Sequence, residues 1–179
     1  LDGLLLAGGA GGRLGQGLSS GALTPPMLLD LDLAAESVAL GLDDWSGVTL
    51  RGTFDRSGGL VLRRFEGTAP GAANVAATGE AELSGPPRFT GHIDIAARNS
   101  EGLGRYLGRL GAEESVAAIL DGRAVELGTD LSAAGGDLSL RNLRLALGEA
   151  RVTGNARYVR AAANGRGRFE AQLSANGID

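Results

Sequence analysis

The chain has 179 residues and a formal net charge of −4, with 17 basic and 21 acidic residues interspersed along it. This balance argues against a nucleic-acid surface, which needs concentrated positive charge, and the lack of cysteine excludes disulfides, thiolate metal sites and cysteine nucleophiles. Aromatic residues make up only 4% of the chain and glycine accounts for 31 residues, so a core must rely on leucine, alanine and valine.

Residues 1–26 are rich in glycine, and we interpret them as a linker or short helix. Within them, Leu5–Gly15 resembles the phosphate loop of sugar-nucleotide and molybdenum-cofactor nucleotidyltransferases, whose backbone N–H groups cradle phosphates at a helix N-terminus. Such a loop needs an α/β sheet around it, whereas this one leads to Pro25-Pro26 and a β pattern. We therefore favour the linker. Leu1 in place of an initiator Met leads us to expect a fragment of a longer chain.

From Met27 onward, apolar residues alternate with polar ones, which predicts half-buried strands because successive side chains of a strand point to opposite faces. The apolar runs are separated by Gly47, Gly58-Gly59, Gly67, Gly71 and Gly85-Pro86-Pro87, which we interpret as hairpin turns. The fold class predicted is mainly β, with antiparallel meander repeats. The candidate apolar face consists of Leu29, Leu31, Leu33, Val48, Leu50, Leu60, Leu62, Phe89, Ile93, Ile95, Leu138, Leu140, Leu145 and Leu147.

One segment, near residues 99–111, breaks the two-residue period. Leu103, Tyr106, Leu107 and Leu110 recur there at helical spacing, which predicts a short helix capped by Asn99 or Ser100.

Short matches recur in the same order after 75 to 80 residues. The matching pairs are Gly58–Phe65 with Gly135–Leu143, Thr78–Glu82 with Thr153–Arg157, and Arg88-Phe89 with Arg168-Phe169. They predict two β repeats, residues 27–111 ending in the short helix and residues 112–179. A meander of this kind exposes strand edges, which neighbouring segments of the same chain are expected to cover.

Residues able to carry chemistry are few. His92 is the only histidine, and we interpret it as a surface strand residue, since one histidine without cysteine cannot build a typical transition-metal site. Asp30-Leu31-Asp32 and Asp43-Asp44 are interpreted as solvated strand and turn positions, because neither completes a calcium loop. Trp45 is expected in that turn, packed over a sheet end, with a binding role left open. We predict no catalytic residue, no metal and no cofactor.

The combined pattern resembles the AsmA family of Gram-negative envelope proteins, which includes the relatives of TamB. The segments that carry the resemblance are Leu29–Ser37, Gly59–Leu62, Ala72–Leu83, Gly102–Gly111 and Leu143–Gly148, and it covers residues 27–179. The resemblance implies an elongated curved sheet or groove on the periplasmic side of the inner membrane, held by an anchor outside this fragment. It also implies a part in outer-membrane biogenesis and intermembrane phospholipid transport. No functional residue can be transferred from the family one by one.

An apolar sheet face must be covered, and the expected partners are phospholipid acyl chains along that face, together with other segments of the same chain at the sheet edges. No nucleic-acid partner is expected. The alternative is a β-repeat structural or protein-binding module without lipid, which a closed core between two interdigitated sheets would favour.

Overall fold

The computed structural model describes residues 27–40, 43–109, 120, 122–160 and 167–177, except the side chains of residues 40 and 107–109. These residues form nine antiparallel strands in one open sheet with one short helix, so the predicted mainly β, antiparallel fold is confirmed. The strands are β1 (Leu29–Leu40), β2 (Asp43–Phe54), β3 (Gly59–Ala69), β4 (Ala73–Glu82), β5 (Arg88–Ala97), β6 (Val125–Ala134), β7 (Asp137–Leu147), β8 (Ala150–Val159) and β9 (Arg168–Asn176). The helix, α1 (Glu101–Arg109), lies between β5 and β6 in the chain.

Strand order in the sheet is the order in the chain, from β1 at one edge to β9 at the other. A tight turn between β2 and β3 shows how the hairpins are fixed. Asp55 Oδ1 accepts hydrogen bonds from the backbone N–H of Ser57 at 2.7 Å and of Gly59 at 2.9 Å. These bonds, and above all one from the Ser57 hydroxyl, hold the pKa of the Asp55 carboxyl below its usual value. The carboxylate thus closes the turn by replacing a backbone acceptor.

The repeated sequence segments occupy equivalent strands. The first match falls on β3 and β7, the second on β4 and β8, and the third on β5 and β9. Both β3 and β7 shift register against the following strand at the same place, between Leu62 and Phe65 and between Leu140 and Leu143. Strands β3–β5 therefore correspond to β7–β9.

A glycine with positive φ lies beside each of these bulges on the neighbouring strand: Gly79 pairs with Leu62, and Gly154 pairs with Leu143. Gly79 in β4 has φ +153° and Gly154 in β8 has φ +146°. A Cβ atom at Gly79 would meet the carbonyl oxygen of Thr90 on β5, and one at Gly154 would meet that of Gln172 on β9. Only glycine fits such a conformation at such a close backbone approach.

The buried core lies at one end of the sheet, under α1. Ser100 precedes the helix and is buried; its carbonyl accepts the N–H of Gly104 at 2.8 Å, and its hydroxyl donates to the carbonyl of Leu120 at 3.0 Å. Asn99 Oδ1 accepts the N–H of Glu101 at 2.9 Å, so both predicted capping residues bind this helix end. The buried cluster comprises Ala69, Ala73, Ala97, Leu103, Leu120, Val125 and Leu147, with Trp45, Val75, Ile95, Tyr106 and Leu145 packed against it.

Three predicted turns are wrong. Gly47 and Gly67 lie within β2 and β3, and Asp43-Asp44-Trp45 opens β2, where Val38 of β1 pairs with Trp45. Gly47 has φ +58° at a register irregularity between β2 and β3. The bulge turns Trp45 and Val48, three residues apart, to the same side over Gly67. The glycines therefore serve a bulge and a close contact and do not reverse the chain.

Several interpretations lie outside the described residues. These are the linker or helix of residues 1–26, the phosphate-loop resemblance of Leu5–Gly15, and the contribution of Leu110 to the helix. The α/β surroundings that such a phosphate loop needs are not seen in the described part of the chain, whose sheet is antiparallel throughout.

Candidate functional site

The strand register places all fourteen residues of the candidate apolar face on one side of the sheet. Residues directly opposite each other on neighbouring strands project to the same face, so each chain of partners forms a row across the strands. The first row is Leu29, Phe54, Leu60, Ala81, Phe89, Ala133, Leu138, Tyr158 and Phe169. The second row is Leu31, Gly52, Leu62, Gly79, Gly91, Leu131, Leu140, Ala156 and Ala171.

Three further rows complete this apolar face. The third row contains Leu33, Leu50, Phe65, Ala77, Ile93 and Thr129, and continues beyond the β7 bulge as Leu143, Gly154 and Leu173. The fourth contains Ala35 and Val48, then Gly67, Val75, Ile95, Leu127, Leu145, Val152 and Ala175. The fifth contains Ala69, Ala73, Ala97, Val125, Leu147 and Ala150. With eight spacings of about 4.8 Å, the first two rows extend about 38 Å across the sheet.

None of the five rows contains a charged side chain, and their polar members are Thr129 and Tyr158. The hydroxyl of Thr129 is buried and donates to the backbone carbonyl of Arg141 at 3.0 Å. The face therefore offers a continuous hydrocarbon surface with few fixed polar groups.

The apolar face is buried at one end of the strands and partly exposed to solvent along the rest. The fourth and fifth rows lie against the core cluster that includes Leu103 and Tyr106 of α1. In the first three rows the side chains are mostly half-buried, and some are open to solvent: Leu33 is 56% exposed, Leu173 53% and Phe169 67%. The described residues form a single sheet, so none of them supplies the second sheet that a closed core would require.

Strict alternation does not predict Phe65 and Leu143 on this face, because a bulge precedes each of them. Leu62 is followed by two arginines and then Phe65, and Leu140 is followed by Arg141-Asn142 and then Leu143. In each strand the inserted residue returns the next apolar side chain to the same face. Paired polar residues between apolar residues at i and i+3 are the signal that would have found Phe65 and Leu143.

The opposite face is polar, and its side chains bond across strands. Asp32 accepts from Arg51 at 3.0 Å, and Asp30 accepts from Thr53 at 2.8 Å and from Arg63 at 3.1 Å. These groups are more than half exposed, so the ion pairs contribute little to stability. Asp30 and Asp32 are thus solvated strand residues, as their sequence pattern indicates.

His92 lies on this polar face at the seam between β5 and β6. Its Nδ1 is 2.7 Å from Asp130 Oδ1, and its Nε2 is 3.3 Å from Asp94 Oδ1. Asn142 donates to the other Asp130 oxygen at 2.6 Å. The hydrogen bond to Asp130 raises the pKa of His92 and lowers that of Asp130. The sequence did not indicate this cluster, because Asp130 is far along the chain and meets His92 only through strand pairing.

A groove among the described residues follows the fourth row across the strands, and its lining includes Ile95 and Leu145 of the candidate face. It has a volume of about 990 Å³ and crosses β3–β8. Its charged lining residues, Glu66, Asp94, Glu126, Arg144 and Arg151, project from the polar face. The groove is open between these charged residues because four neighbouring positions on that face hold only small residues, Ala76, Ala96, Gly128 and Ala146. The groove mixes both signs of charge, so it does not select a class of ligand.

Comparison of the chain with protein-family models, with curated proteins and with solved structures finds no match in any of the three. In the part of the chain that the structure describes, no helix combines the length and the hydrophobicity needed to span a bilayer.

Proposed function

We propose that this chain is a non-enzymatic segment of an AsmA-like periplasmic protein, anchored in the inner membrane by another part of the chain. Its proposed roles are outer-membrane biogenesis and the transport of phospholipid between the membranes. The observation that carries this proposal is the apolar face, whose rows continue across both repeats without a charged side chain. The resemblance of residues 27–179 to that family supports the same function.

Acyl chains fit this surface for a simple energetic reason. Each methylene group removed from water contributes about 0.8 kcal/mol, so a hydrocarbon chain gains free energy wherever it lies along the rows. Leucine, valine and alanine side chains do not fix a particular lipid atom, because they offer no directional bond. A lipid held in this way would move along the rows without losing affinity at each step, as transport requires.

A second candidate function is a β-repeat module that binds only protein. The observation that favours it is the pair of sheet edges, at β1 and β9, that no other described strand covers, because exposed strand edges accept strands from other chains. The two functions differ in what contacts the apolar rows: hydrocarbon in the first, protein in the second.

Lipid binding can be tested with two substitutions on adjacent residues. Leu131 lies in the second apolar row and Ser132, the next residue of β6, points to the polar face, where Thr90 and Ser139 are its cross-strand partners. Leu131→Glu places a charge in the path of an acyl chain, and Ser132→Glu places the same charge on the other side. Binding of a phospholipid with a fluorescent acyl chain is measured for each purified protein, with circular dichroism to verify folding.

We expect the unaltered chain and Ser132→Glu to bind the lipid equally, and Leu131→Glu to bind at least tenfold more weakly, because burying a charge against hydrocarbon is costly. Native mass spectrometry of the unaltered chain from bacteria should show co-purified phospholipid. A chain free of lipid that also takes up no labelled lipid contradicts the proposal and favours the protein-binding module. Equal binding by both variants places the lipid elsewhere.

A further inference from the structure

Four exposed arginines stand on the polar face of β7 and β8, one in each of four consecutive cross-strand rows. We call this set the arginine ladder; in order along the strands it consists of Arg157, Arg141, Arg144 and Arg151. Successive rows are two residues apart along a strand, which is about 6.7 Å, so the ladder covers about 20 Å. It runs along the strands, whereas the groove of mixed charge crosses them.

The ladder differs from the arginines of β2 and β3 on the same face. Each of those is bound to a carboxylate at 2.7–3.1 Å, in the pairs Arg51–Asp32, Arg63–Asp30 and Arg64–Glu66. Among the described residues, no carboxylate forms an ion pair with any arginine of the ladder. The first half of the polar face is therefore neutralised within the sheet, and the second half carries a line of positive charge.

Asp130 shows how the neighbouring acid is kept from the ladder. It is the β6 residue that pairs with Arg141, but His92 occupies its Oδ1 at 2.7 Å and Asn142 donates to its Oδ2 at 2.6 Å. The other residues of the four rows on β7 and β8 are neutral, namely Ser139, Ala146, Thr153 and Asn155. The guanidinium groups are thus left to bind a ligand from outside the sheet.

We propose that the arginine ladder binds an extended acidic segment of protein, in which aspartate or glutamate recurs at every second residue. Alternate side chains of an extended chain project to one face at intervals of about 6.7 Å, which is the interval between the rows of the ladder. Arginine suits this ligand because its planar group presents two N–H donors to the two oxygens of a carboxylate. The segment lies along β7 and β8 with its acidic side chains against the ladder.

Acidic residues on both sides of the ladder limit the width of the ligand. On the polar face β6 carries Glu126 and Asp130, and β9 carries Glu170. A flat anionic surface such as a membrane would meet these carboxylates and be repelled, whereas a single extended strand fits between them. A polyphosphate chain is also narrow, but it carries a charge on every unit and has no two-residue period to match the rows.

Two fluorescent peptides of equal length and composition test the spacing. In one, aspartate alternates with serine, so an extended chain presents all its carboxylates on one face; in the other, pairs of aspartates alternate with pairs of serines, so each face receives half of them. Binding is measured by fluorescence anisotropy for the unaltered chain and for Arg144→Gln. The matched control is Arg51→Gln, which removes the same charge from the polar face at a position already paired with Asp32.

The alternating peptide should bind the unaltered chain about fivefold more tightly than the paired one, and Arg144→Gln should weaken its binding about threefold while Arg51→Gln leaves it unchanged. Added salt should weaken the binding, because the contacts are exposed. Equal affinity for the two peptides, equal effects of the two substitutions, or no binding of either peptide overturns the proposal. Binding of polyphosphate without any preference between the peptides overturns it as well. Lipid binding is scored on the apolar face, so its outcome is separate from this one.

Discussion

Gly79 provides the sharpest test of the strand arrangement. It lies in β4, between β3 and β5, with φ +153°, and a Cβ atom there would stand 2.6 Å from the Cα atom of Gly91 and closer still to the carbonyl oxygen of Thr90. Gly79→Ala combines an unfavourable backbone conformation, which costs about 1–3 kcal/mol, with overpacking against an interior strand, which costs about 1–3 kcal/mol. The free energy of unfolding should therefore fall by about 2–6 kcal/mol.

Urea denaturation followed by circular dichroism measures this loss. For a slope of about 2 kcal/mol/M, the midpoint should fall by about 1–3 M. The matched control is Gly85→Ala, because a Cβ atom at Gly85 meets nothing within 4 Å, and a surface change of this kind should stay within about 0.5 kcal/mol. Gly154→Ala should fall between the two: its Cβ meets Gln172 even more closely, but β9 is an edge strand that can move outward. Equal midpoints for Gly79→Ala and Gly85→Ala would refute the close approach of β4 and β5.

Two further predictions concern single side chains. The hydrogen bond to Asp130 raises the pKa of His92 in the folded chain above 6.5, so the stability that this bond contributes should be complete below pH 6.5 and lost as the pH rises through the folded pKa. The difference in urea midpoint between the unaltered chain and His92→Gln should therefore shrink from pH 5 to pH 9. A difference that stays constant over this range would contradict the prediction. The indole N–H of Trp45 is buried without a hydrogen-bond partner among the described atoms, while its ring meets Phe65 edge to face at 5.7 Å. Trp45→Phe should therefore change the free energy of unfolding by less than about 1 kcal/mol, whereas Trp45→Ala should lower it by about 2–3 kcal/mol. If both variants lower the free energy of unfolding equally, the contact between the two rings is unimportant.

The alternation of apolar residues was enough to predict the strand class and the shared face, because the two-residue period is a local property of the chain. Leu29, Leu31 and Leu33 required no knowledge of any other strand. Glycine was harder to interpret, because the same residue permits a turn, a bulge or a close contact. Gly71 lies in a turn between β3 and β4, as predicted, but Gly47 lies at a bulge, and no local signal separates the two cases.

The sequence pattern did not predict which strands distant in the chain pair with each other. Hairpin neighbours follow from short turns, but β5 and β6 are separated by residues 98–124, and nothing local states that they pair. The bond between His92 and Asp130 arises at this seam, so it could not be foreseen from spacing. Bulges had a similar effect on a smaller scale, since one extra residue in β7 places Leu143 on a face that strict alternation assigns elsewhere.

The strictly sequential strand order makes the length of this ribbon adjustable. Each of the nine described strands pairs only with its predecessor and its successor. Removing or duplicating two consecutive strands would therefore leave the direction of every later strand unchanged, and each later side chain would stay on the same face of the sheet. Evolution or design could lengthen or shorten such a scaffold by hairpin units, and its cross-section would remain the same while the distance it bridges changed by about 10 Å at each step.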